Sequence, residues 1–105
     1  MSKNPMILNL FFFNPQGDYR FSWRHPQAPG KEIFTLSYYA ELARKAEAAT
    51  LDAIFIADHI AIWDTVPSGL THYANARLEP ITLLAALAAV TEHIGLMGTD
   101  GIDVV

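Results

Sequence analysis

The chain has 105 residues, 51% hydrophobic and only 17% charged, with a net charge of −4. That length holds one small domain at most, and the low charge leaves little to cover its surface, so it either associates or belongs to a larger fold. The seven basic residues are scattered, which excludes a nucleic-acid footprint, and the absence of cysteine excludes disulfides and thiolate metal sites and suits a reducing cytoplasm.

The N-terminal stretch "MSKNPMILNLFFFNPQG" has a signal-peptide outline, but Asn9 interrupts the apolar run and no small-residue cleavage site follows. Met6 to Phe13 instead has the length and apolarity of a buried strand, closed by Asn14, Pro15 and Gly17. Thr35 to Ala49 is predicted helical, with Thr35 or Ser37 as N-cap and with Leu36, Tyr39, Ala40, Ala43 and Ala46 on one face. In the adjacent pair Tyr38 and Tyr39, one ring is expected at the helix surface and one in the core.

Leu51 to Ala57 is a second strand, continuously apolar as expected when both faces are covered. Pro80 to Thr91 forms a second helix, with Pro80 in its first turn and Ile81, Leu84, Ala85 and Ala88 on its buried side. Its uncharged stretch "PITLLAALAAVT" is shorter than the roughly 20 residues a membrane span needs. His93 to Gly98 is a third strand.

The order β-α-β-α-β implies an α/β fold with a parallel sheet. Its loops are lopsided. Helix-to-strand connections take one or two residues, around Thr50 and Glu92, whereas Asn14 to Phe34 and Asp58 to Glu79 take about twenty each. Elaboration of that one side marks the C-terminal edge of the strands, where α/β folds carry their chemistry.

Asp58-His59 sits at that edge. A carboxylate and an imidazole there can hydrogen-bond a cofactor or handle a proton; the plainer alternative is a capped turn with a half-exposed histidine. Trp23, Arg24 and His25, within "FSWRHP", can form a substrate wall with Arg24 as an anion contact, or a loop anchored by Trp23 with Arg24 in solvent. The histidines at 25, 59, 72 and 93 lack metal-ligand spacing, so no metal site is expected. The glycines of "GLMGTDG" can offer backbone N–H groups to phosphate, but neither a dinucleotide fingerprint nor a P-loop is present. Ser22, Ser37 and Ser68 lack a nucleophile-elbow context.

Four pieces, "MILNLFFFN", "WRHP", "YYAELARKAEAATLDAIFIADHIA" and "LEPITLLAALAAVTEHIGLMGT", together resemble the bacterial luciferase-like, FMN-dependent monooxygenases, in the branch that oxidises nitrilotriacetate and dibenzothiophene sulfone. The resemblance implies the first part of a (β/α)8 TIM barrel, left incomplete because three strands cannot close one. It also implies reduced FMN delivered by a separate NADH-dependent flavin reductase, and O2-driven oxygenation of a small organic substrate.

Residue by residue, the resemblance puts Asp58 and Thr99 beside the flavin and Trp23, Arg24 and His25 near the substrate entrance. His59 stands where this branch often carries serine, as a weak candidate for proton handling. Two departures stand out: residues 100–105 replace the family's usual continuation, and Ala48-Ala49-Thr50 stands where a glycine often ends the first helix. The expectation is one partial domain over residues 1–105, ending early as a truncated or frame-shifted gene would, and cytoplasmic. Two other readings are a non-catalytic module that self-associates or pairs with a complementing chain through its strand edge, and a flavin-binding module without turnover. A metal-dependent barrel hydrolase is a remote further alternative.

Overall fold

The apolar runs pair as the alternation of β and α patterns requires. In the computed structural model, which describes residues 4–12, 15–17, 21–58 and 77–99, the elements are β1 (Asn9–Phe12), α1 (Leu36–Ala48), β2 (Ala53–Ile56), α2 (Pro80–Ala88) and β3 (Gly95–Gly98). Two short 3-10 turns, Ser22–Arg24 and Lys31–Phe34, lie between β1 and α1. The sheet is parallel in the order β1-β2-β3, with Asn9 opposite Ala53 opposite Gly95, and Phe12 opposite Ile56 opposite Gly98.

Because the strand order never reverses, right-handed crossovers place both helices on the same face of the sheet. There Ile54 and Ile56 pack with Tyr39, Ala40, Ala43 and Ala46 of α1 and Leu83, Leu84 and Leu87 of α2, with Leu10, Phe12 and Leu96 at the margin. This single-sided winding is how a barrel wall is built; a doubly wound sheet would reverse. Gly98 permits the close approach of α2, since a Cβ there would lie 2.6 Å from Leu84 Cδ1.

The opposite face is lined by aromatic and aliphatic side chains of the strands. The continuous apolarity of β2 implied cover on both sides; among the described residues, both helices lie on one side. On the other, Phe11 stacks on Phe55 with ring centroids 5.3 Å apart, and Phe11 remains 55% exposed and Met97 42% exposed. The apolar run suits a strand whose second face is meant to be covered by something beyond these three strands.

Element ends also differ from expectation. Each strand has four residues, so the helix-to-strand connections run over 49–52 and 89–94. Flanking bonds continue the ladder past the strand ends, for example Asp52 N–H to Leu8 O at 2.9 Å and Gly95 N–H to Asp52 O at 2.8 Å. On α2 the buried stripe is Pro80, Leu83, Leu84 and Leu87, whereas Ile81, Ala85 and Ala88 are exposed. The helix is apolar all round, so periodicity cannot choose the face; larger side chains win because they bury more area. On α1 the predicted face holds except for Leu36, at 42% exposure.

The helix ends are closed by unexpected groups. Thr35 occupies the N-cap of α1, but its hydroxyl donates to Glu32 O at 2.7 Å and caps no N–H. Glu79 caps α2 instead, its carboxylate accepting from Ile81 N–H at 3.0 Å and Thr82 N–H at 2.6 Å, with Pro80 following as expected. Those bonds hold the Glu79 carboxyl below its ordinary pKa.

At the C-terminus of α1, Thr50 N–H bonds to Glu47 O and Leu51 N–H to Ala46 O, a paired closure that requires a left-handed residue at position 50. Thr50 supplies it at φ +60°, where the sequence lacks the glycine that would do so without strain.

Glu47 ties the two α/β units together. Its Oε2 accepts from the backbone N–H groups of Glu92 (2.9 Å), His93 (2.6 Å) and Ile94 (2.9 Å), in the turn between α2 and β3. The bond from His93, then those from Ile94 and Glu92, hold this carboxyl below its usual range.

Candidate functional site at the C-terminal strand edge

β2 and β3 leave the sheet side by side, and their first residues beyond it interlock. Thr99 donates its backbone N–H to Ile56 O at 3.2 Å, and its Oγ1 accepts the backbone N–H of Asp58 at 2.8 Å. Each strand end therefore satisfies a polar group of the other. Asp58 is half-buried, and none of the described side chains pairs with its carboxylate. Asp58 and Thr99, separated by 41 positions, are thus brought into direct contact. His59 and residues 100–105 lie outside the described residues.

Trp23, Arg24 and His25 form a local turn within the first long loop. Ser22–Arg24 is a 3-10 turn entered from Phe21 at φ +60°, and Arg24 N–H bonds back to Phe21 O at 2.9 Å. In a 3-10 turn, side chains three apart eclipse, so Phe21 and Arg24 share a side. The Arg24 guanidinium lies over the Phe21 ring and over the Trp23 ring, 4.8 Å from each centroid.

Arg24 is therefore exposed but held over two rings. His25 Nδ1 accepts from Gln27 N–H at 3.1 Å. Phe21 was not singled out in the sequence; the signal for it is an aromatic three positions before an arginine in a tight turn.

Elsewhere, His93 lies at the opposite end of β3, exposed and 3.8 Å from Glu92, far in sequence register from the Asp58–Thr99 edge. Tyr39 is the core member of the tyrosine pair, edge-on to Phe12 and to Tyr38, with burial pushing its phenol up to about 12. Among the described residues no three His, Asp or Glu groups converge, and no helix is long and apolar enough to cross a membrane.

A singly wound parallel sheet with interlocked strand ends is the build of a segment of an α/β barrel wall. The family model for luciferase-like monooxygenases matches residues 17–99, and the chain belongs to that family.

It is 43% identical over 99 residues to N-acetyl-S-(2-succino)cysteine monooxygenase of Bacillus subtilis (strain 168), a match covering 93% of this chain and 21% of that protein. To nitrilotriacetate monooxygenase component A of Aminobacter aminovorans it is 41% identical over 107 residues, covering 94% of this chain and 24% of the relative. Among solved structures, long-chain alkane monooxygenase (LadA) superposes with a TM-score of 0.78 at 29% identity, over 93% of this chain and 24% of that one. Riboflavin lyase (RcaE), solved with modified FMN and riboflavin, gives 0.72 at 29% identity, over 90% and 23%. The structural neighbours are TIM-barrel luciferase-like monooxygenases, and this chain spans about a fifth to a quarter of the relatives it matches.

Proposed function

We propose that this chain is the N-terminal portion of a flavin-dependent monooxygenase that uses reduced FMN and O2 to oxygenate a small organic compound. A separate NADH-dependent flavin reductase supplies the reduced flavin in the cytoplasm. The observation that carries the reading is the Asp58–Thr99 junction, 2.8 Å across, at the C-terminal edge of a family-typical barrel wall. When bound, reduced flavin supplies the electrons that activate O2.

This chain's own residues contribute the carboxylate of Asp58 as an acceptor for the flavin and the Thr99 hydroxyl that holds the Asp58 backbone. Trp23, Arg24 and His25 shape substrate entry, and His59 is a candidate for proton handling. The residues fit part of such a site. Three strands enclose little, and oxygen activation on a flavin requires a dry site, so turnover is assigned to the closed barrel rather than to these 105 residues alone. Names among the relatives range from nitrilotriacetate to long-chain alkanes, so the substrate stays at the level of a small organic compound.

The test is a titration of FMN with the purified chain, followed by flavin fluorescence, beside Asp58→Ala. Saturable quenching that weakens in the variant supports the flavin reading; equal quenching in both, or none, removes Asp58 from it.

A second reading rests on the open sheet face. Among the described residues Phe11 and Met97 are exposed there and β1 and β3 are the outer strands of the sheet, which supports pairing with a second copy or with a complementing chain. Light scattering across a concentration series distinguishes it, since a constant monomer mass is incompatible with self-pairing.

A further inference from the structure

We infer that Arg24 is a docking point for a carboxylate on the substrate, held ready by Phe21 and Trp23. The inference deepens the monooxygenase reading and rests on it for what the anion belongs to.

Three observations converge on it. First, Phe21 adopts φ +60°, a conformation a bulky side chain takes only under strain, and the result is a ring placed beneath the guanidinium three residues on. Second, among the described residues the cation is engaged through ring faces. Among the described residues no carboxylate or carbonyl accepts from the Arg24 side chain, and the side chain is exposed. A guanidinium keeps its donor fork when stacked on rings, and that fork matches a carboxylate bidentately. Third, His25 Nδ1 is already used as an acceptor for Gln27 N–H, which leaves Nε2 as the protonated nitrogen. The turn thus spends its imidazole acceptor internally and presents donors outward.

A ring-held guanidinium has less freedom to lose on binding than a solvated one, so the geometry is preorganised for a planar anion. A lysine at this position would keep the charge and the ring contact but not the fork.

The experiment follows Trp23 fluorescence in a Trp63→Phe background, which leaves one tryptophan. The chain is titrated with succinate and, separately, with the uncharged diamide succinamide at constant ionic strength. Saturable response to succinate and none to succinamide is expected, with affinity falling about tenfold in Arg24→Lys and further in Arg24→Gln. Equal response to both ligands, no response to either, or unchanged succinate affinity in Arg24→Gln overturns the assignment. Should Arg24→Gln fail to fold, the ligand pair still decides the matter on the unsubstituted arginine. FMN binding is measured on the same protein: flavin without succinate binding defeats this inference alone, and succinate without flavin binding defeats the flavin reading alone.

Discussion

The backbone N–H of Asp58 is held by the Oγ1 of Thr99 at 2.8 Å, so the exit of β2 is positioned by a side chain from the exit of β3. Replacing Thr99 with valine keeps the shape and removes the acceptor. Thr99→Val is expected to lower stability by about 1 kcal/mol, the usual net worth of one hydrogen bond, whereas Thr99→Ser should keep most of it. Urea melts give the energies. Hydrogen exchange at the Asp58 amide shows whether the bond itself is what was lost.

Thr50 pays a strain that glycine would not. At φ +60° a β-branched residue is disfavoured by roughly 1 kcal/mol or more, and only a local contact, Thr50 Oγ1 to Ala49 O, is forfeited on substitution. Thr50→Gly should therefore raise the unfolding free energy by roughly 0.5 kcal/mol, and with it the denaturation midpoint, after allowance for the extra freedom glycine gives the unfolded chain. A lowered midpoint would mean that the left-handed closure of α1 is not strained.

Acid should loosen the joint between the two α/β units. Glu47 and Glu79 both sit below the ordinary value of 4.5 because backbone N–H groups bond their ionised forms. A depressed folded pKa contributes stability that is complete above the unfolded value and is lost as pH falls through the folded one. Stability should thus hold at neutral pH and decline below about pH 4.5. Glu47→Gln should be less stable at pH 7 and show a shallower acid decline, measured as melting temperature against pH.

Alkali should act through Tyr39. Burial, and then the neighbouring Tyr38, push its phenol from 10.0 to about 12, while Arg77 opposes the shift. Since the neutral form is favoured in the fold, stability is intact below pH 10 and is lost as pH rises through about 12. Absorbance titration at high pH should show a tyrosine ionising near 12 that is absent in Tyr39→Phe, with Tyr38 also ionising above its ordinary value. A Tyr39 that ionised near 10 would contradict its burial at 3% exposure.

Local pattern made the β-α-β-α-β order legible, because apolar runs bounded by proline, glycine and asparagine leave few other assignments. It also placed Asp58 at the C-terminal end of β2, since the apolar run of that strand stops just before it. The stripe of α1 could be read from spacing because polar residues interrupt it. That of α2 could not, because "PITLLAALA" has no polar face to exclude.

Contacts across the chain were a different matter. The Glu47 clasp spans 45 to 47 positions and the Thr99–Asp58 bond spans 41, and no local signal couples residues so far apart. The sequence carried the family, the strand order and the edge, since these depend on composition and period over short windows. Folding determined which faces stay open, which carboxylate binds which turn and how Arg24 is held, because those follow from where the backbone brings distant groups within hydrogen-bond or ring-contact range.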